Sequence, residues 1–159
     1  MFREMRRKNQ ALSHAQNVEI LENRTAGVLA LLGDDDYPYA VPLSYFYCDD
    51  KLYFHGAMTG HKIDALCKND KASFCVIDKD TIVPAEYTSY FRSVIAFGKV
   101  HLIENAAEKR AALTKLAAKY SPDHERERLA AVEKEMSRVC LIVFDVEHLT
   151  GKAASELFK

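Results

Sequence analysis

The sequence predicts a mainly β protein, a small antiparallel barrel decorated by helices. Three observations predict it. Most of its apolar strand-like runs are joined by short turns, which pair strands antiparallel. Pro42 and Gly98 lie inside such runs, where proline demands an edge or bulge and glycine a bend. The order is helix, strands, helix, strands, two helices, strand, a meander that favours a small barrel decorated by helices.

The elements follow in order. Ser13 caps a helix over about 14–23, with Val18, Ile20 and Leu21 on its apolar side. The run 26–32 reads as a buried strand that ends at Gly33 and the Asp34-Asp35-Asp36 turn. A second strand spans 37–48, with Val41, Leu43, Tyr45 and Tyr47 on one face. A third covers 51–56, and a helix over 62–68 buries Ile63, Leu66 and Cys67. A fourth strand spans 71–78, and 81–90 reads as a polar, aromatic connection. A long strand over 91–103 bends at Gly98. A strong helix spans 106–120, and Ser121-Pro122 starts another that runs to about 137, with proline at its first position. The last strand is 138–146, and the tail from Glu147 offers little to pack.

The 159 residues are 48% apolar and 28% charged, with a formal net charge of -1. This is the balance of one soluble domain spanning 1–159, with its core over about 14–146. A near-neutral total argues against a nucleic-acid binder. The basic cluster Arg6, Arg7 and Lys8 reads as a solvated tail. No run is long enough to span a membrane, and the basic start leads into polar residues rather than an apolar signal core. Cys48, Cys67, Cys75 and Cys140 show no CxxC spacing. They read as reduced thiols of a cytoplasmic protein, not as a zinc site or a disulfide framework.

The chemistry concentrates in 54–66, FHGAMTGHKIDAL. A strand end, glycines, basic side chains and a helix start suit an anionic group, because helix N–H groups and cations converge there. The macrodipole disfavours a cation at a helix start, so the Lys62 charge calls for an anion, to which His61 offers a ring donor. A solvated helix start with incidental basic residues fits the local chemistry equally. His55, at the strand end before Gly56 and Ala57, either touches such a ligand or is an ordinary rim histidine. His55 and His61 lack a third ligand for a metal. Ser93, after Arg92, matters only if its strand end lies beside His61 and Lys62. Rossmann, Walker and nucleophile-elbow motifs are absent.

Three blocks, YAVPLSY (39–45), LYFHGAMTGHKIDAL (52–66) and FRSVIAFGKV (91–100), together with MRRKNQALS (5–13), resemble the pyridoxamine-phosphate-oxidase-like family. The nearer likeness is to its nitroimidazole-resistance-type reductases. The resemblance covers about residues 5–120. It implies a six-stranded antiparallel split β-barrel and a homodimer with FMN at the interface. It implies that Val41, Pro42, Leu43, Ser44 and Tyr45 run along the flavin ring and ribityl chain, largely through backbone groups. His55, Gly56 and Ala57 would close around the ribityl and phosphate region, and His61 and Lys62 would hold the phosphate. Ser93 would touch the flavin, often from the other subunit. The oxidases carry arginine-lysine where this chain has His61-Lys62. They also have an arginine-rich C-terminal segment where this sequence reads GKAASELFK, so vitamin B6 oxidation is not carried over. The implied activity is an FMN-dependent reductase passing electrons from a small donor to a small acceptor, nitroaromatics included. No residue is an evident general acid or base, so the catalytic residue is left open; His55 comes nearest, because histidine can titrate near neutral pH. A non-catalytic flavin or heme binder on the same barrel is the other reading.

Overall fold

The computed structural model describes residues 2–158; the two outermost residues of the expected 1–159 domain lie outside the described residues. The order is α1 (His14–Asn23), β1 (Ala26–Leu32), β2 (Pro38–Ser44), β3 (Phe46–Cys48), β4 (Lys51–Ala57), α2 (His61–Lys68), β5 (Lys71–Val83), β6 (Thr88–Leu102), α3 (Ala106–Tyr120), α4 (Glu125–Glu135) and β7 (Val139–Ala153). The strands form one sheet in the order β2-β1-β5-β6-β7-β4-β3, antiparallel throughout.

Seven strands appear where six are expected, because the strand over 37–48 breaks at Tyr45. Its first part, β2, pairs with β1 at one sheet edge, and its second part, β3, pairs with β4 at the other. One residue therefore joins the two edges, and the sheet must curl into a barrel. Pro42 sits on the edge strand β2, where proline is tolerated.

The break leaves backbone polar groups outside any ladder, and a buried one must find a partner. Tyr120, the last residue of α3, supplies it. The Tyr45 N–H donates to the Tyr120 hydroxyl at 3.0 Å, and that hydroxyl lies within donating distance of the Thr25 and Tyr45 carbonyls. The Tyr45 ring is fully buried, edge-on to Phe74 at 5.0 Å between centroids. Leu29, Leu52, Phe54, Val76, Val94, Ile142 and Phe144 fill the barrel interior around it. A smaller apolar cluster joins α3 and α4 to the barrel wall through Leu113, Val132, Leu141 and Val143.

Several local signals hold. Ser13 caps α1 in a capping box with Gln16. Gly98 marks a bulge against β7, and a Cβ there would lie 1.9 Å from the Asp145 carbonyl oxygen.

Other expectations are corrected. The connection over 81–90 is mostly strand: β5 and β6 continue as a ribbon around a short 3-10 turn, Pro84–Glu86. The segment from Glu147 is the second half of β7, paired with β6 and packed on α1, where Gly151 leaves room for the buried Asn17. α4 starts at Glu125, because Ser121 ends α3 and the Ser121 and Pro122 carbonyls bind Arg128. On α2 the buried residues are Ile63, Ala65 and Leu66, whereas Cys67 is exposed.

The Asp78 carboxylate, almost wholly buried at the β5 bulge, binds Arg24 at 2.6 Å and also Arg92. Burial works to raise its pKa, but the bonds from Arg92 and Arg24 prevail and hold it below the usual carboxylate value.

Two outcomes follow for stability. Tyr120→Phe removes the hydroxyl from the Tyr45 break and should cost about 1–2 kcal/mol in urea unfolding. The lowered Asp78 pKa stabilises the fold above the unfolded value of about 3.9, and this contribution is lost as pH falls through the lower folded value. Asp78→Asn should therefore reduce the unfolding midpoint at pH 7 and flatten the loss of stability below about pH 4; an unchanged acid slope would contradict the assignment.

Candidate functional site

β3 covers β4 only along Lys51–Tyr53, so beyond Tyr53 one edge of β4 is unpaired through His55, Gly56 and Ala57. β2 pairs on one side only, leaving its outer edge free from Pro38 to Ser44. These two unpaired edges diverge from the Tyr45 junction and form the lips of a split in the barrel. α2 follows the end of β4 and places its N-terminus there.

Gly60 caps α2 with φ +125, a conformation that L side chains rarely adopt. No side chain caps the helix. The Gly60 carbonyl accepts from the Ile63 and Asp64 N–H groups, whereas those of His61 and Lys62 have no partner among the described residues. An uncapped helix start of this kind suits an anion.

Lys62 folds back over β4. Its Nζ lies 2.9 Å from where a Cβ on residue 56 would stand, so glycine at 56 makes room for the ammonium. Among the described residues no carboxylate lies within ion-pair distance of it. Behind it the buried Cys140 thiol donates to the Ala57 carbonyl at 3.1 Å. Burial pushes that thiol's pKa up, and the Lys62 charge pulls against the shift.

His61 turns the other way. Its ring stacks on Tyr39 at 4.1 Å between centroids, with Nε2 3.8 Å from an Asp34 oxygen. Asp34 is held below its usual pKa chiefly by its 2.8 Å bond from Lys68, with His61 contributing less. The two neighbouring basic side chains thus part: Lys62 faces β4 and His61 faces the β1–β2 turn.

Along β2, Val41 and Leu43 pack inward on the core, whereas Pro42 and Ser44 are exposed. Tyr45 is buried, and its backbone groups are committed to Tyr120 and Thr25. Ser44 and His55 line one cleft of about 410 Å³. Tyr120, His124 and Arg128 of the α3–α4 hairpin complete it, and no local sequence signal marks these three as partners of His55. Ser93 pairs with Ile77 and Lys152, while Gly56 pairs with Cys140 at the other end of β7. Among the described residues no hydrogen bond joins Ser93 to His61 or Lys62 within one chain. Among the described residues there is also no group of three or more His, Cys, Asp or Glu placed to hold a metal ion, and no helix long and apolar enough to cross a membrane.

A barrel closed at one residue, open along two strand edges and met by an uncapped helix start defines a split barrel. Residues 13–153 match the pyridoxamine 5'-phosphate oxidase family model, and the chain belongs to that family. It is similar to the structure of a putative 5-nitroimidazole antibiotic resistance protein from Bacteroides thetaiotaomicron, with 26% identity over 90% of this chain and 86% of that one and a TM-score of 0.75. A conserved hypothetical protein from Mycobacterium tuberculosis shares the fold, with 17% identity, 98% and 94% of the two chains covered and a TM-score of 0.83. So does an FAD- and heme-binding protein from Mycobacterium smegmatis, with 22% identity, 92% and 74% covered and a TM-score of 0.78. No curated protein matches the chain in sequence.

Proposed function

We propose that this chain is an FMN-binding oxidoreductase that works as a homodimer and reduces small acceptors, nitroaromatic compounds among them. The observation that carries the cofactor reading is the Lys62 ammonium, which lies over Gly56 beside an uncapped helix start with no carboxylate partner among the described residues. One cation and a pair of free N–H groups fit a single phosphate monoester, as in FMN. The family membership and the FAD- and heme-binding neighbour support a flavin in this split.

In this reading Lys62 and the His61 N–H hold the phosphate. The Tyr39 stack and Asp34 keep the His61 ring aside, so one side-chain cation rather than two faces the anion. The free edge of β2 over Val41–Ser44 offers backbone donors and acceptors to the ring and ribityl chain, except at Pro42, which lacks an N–H. His55 is exposed at the other lip, where its imidazole can donate or accept a hydrogen bond. The bound flavin would supply the electron-transfer chemistry, and the protein would orient it.

The dimer rests on a separate feature. Beyond the bulge, Lys79–Val83 pairs with Thr88–Arg92, and neither β1 nor β7 covers the outer part of this ribbon. Two-stranded ribbons are marginal alone in water. This one exposes Ile82 at 69% and Tyr87 at 98%. A second copy covering it would also bring Ser93, at the base of the ribbon, toward the partner's split.

Lys62→Ala should weaken FMN binding by about tenfold or more, the loss of a charged hydrogen bond worth about 1.5–3 kcal/mol, and leave riboflavin binding unchanged. Equal FMN affinity in the two proteins, measured by equilibrium titration, would sink the phosphate assignment. The wild type should sediment as a dimer at micromolar concentration, and Ile82→Asp with Tyr87→Asp should shift it to monomer. A wild-type monomer with FMN bound would refute the shared site.

A further inference from the structure

The α3–α4 hairpin does not close fully on β4. At its middle, Leu113 and Val132 pack against Leu141 and Val143. Nearer the interhelical turn the facing residues are Ala117 and Ala131, which are too small to fill the gap. The cleft of about 410 Å³ lies there, and a second of about 250 Å³ shares His55, Leu116, Ala117 and Ala131 with it. The larger of the two is in the size range of small-molecule sites.

The lining selects a ligand type. Leu116, Ala117 and Ala131 present carbon. The Tyr120 hydroxyl is committed to Tyr45 and Thr25, so Tyr120 offers its ring. Glu127 and Arg128 offset one another in charge, and the guanidinium is fixed by the Ser121 and Pro122 carbonyls at 2.7 and 3.1 Å. Neither an anion nor a cation is therefore strongly drawn in. His55 on β4 and His124 on the hairpin line the same space, and neither ring has a hydrogen-bond partner among the described residues. Imidazole N–H groups donate to acceptors such as a carbonyl oxygen.

We propose that the cleft between the α3–α4 hairpin and β4 is a binding subsite for an uncharged, planar aromatic molecule of one or two rings with hydrogen-bond acceptors at its edge. Ser44 and His55 belong both to this cleft and to the two lips of the split, so a ring bound against the hairpin lies beside the cofactor cleft. That the ring is an electron acceptor rests on the flavin reading; its binding does not.

The test titrates 7-methoxycoumarin, a neutral two-ring lactone, into the full chain with and without saturating FMN, followed by fluorescence. Binding should saturate in both states. Ala131→Phe, at an exposed position on α4, should fill the cleft and weaken the coumarin by about tenfold or more, with FMN affinity unchanged. His124→Ala should weaken it several-fold, and the anionic 7-methoxycoumarin-4-acetic acid should bind less tightly than the neutral probe. The proposal is overturned if both variants bind the coumarin as tightly as wild type, if FMN displaces it competitively, or if the acid binds more tightly. A chain that binds the coumarin but no FMN supports the subsite and refutes the flavin reading.

Discussion

The single-residue break at Tyr45 governs the architecture. Because β2 and β3 lie at opposite edges of one sheet, the peptide that joins them holds those edges together. A break of this kind strands backbone groups in a dry interior, where each unpaired group is costly. The Tyr120 hydroxyl meets that need from outside the barrel, and in doing so fixes the end of α3. α4 then packs on α3, so the helical cover over β4 is placed by the same contact that closes the barrel.

The candidate site is made from what the fold leaves unsatisfied. Closure at Tyr45 forces the two strand edges apart on either side of it, and each keeps polar groups without a ladder partner. Gly60 starts α2 without a side-chain cap, and Lys62 lies over a glycine with no carboxylate within ion-pair distance among the described residues. An anionic ligand with a hydrogen-bonding ring would meet all of these at once. His61 shows the opposite case: Tyr39 and Asp34 already occupy its ring.

Local chemistry made part of this legible in the sequence. The Ser13 cap, the limits of β1, the Gly98 bulge and the basic helix start after Gly60 each depend on residues close in the chain. Features that depend on distant partners were not legible. Thr81–Tyr90 looks like a loop until β5 and β6 pair across it. The polar residues after Glu147 become strand because β6 receives them and because Gly151 admits Asn17. Pro122 resembles a first helical residue, yet its carbonyl and that of Ser121 bind Arg128 and hold a turn. The side chain of His61 is decided by Tyr39 and Asp34 on the far side of β3 and β4 in sequence. The link between His55 and His124 spans a still longer stretch of chain.

The place of β7 has a consequence for the order of folding. It lies between β6 and β4, and its first half alone connects β4 to the rest of the sheet. Until residues 139–153 are available, β4 and β6 are two open edges, and the β3–β4 hairpin is tied to the remainder only by its two chain connections, Tyr45 before it and α2 after it. A nascent chain must hold those edges apart while two helices are made, at the entropic cost of a long loop. Exposed edges of this kind are templates for wrong pairing. β7, made after the other six strands, is thus the one that turns a sticky open sheet into a closed barrel.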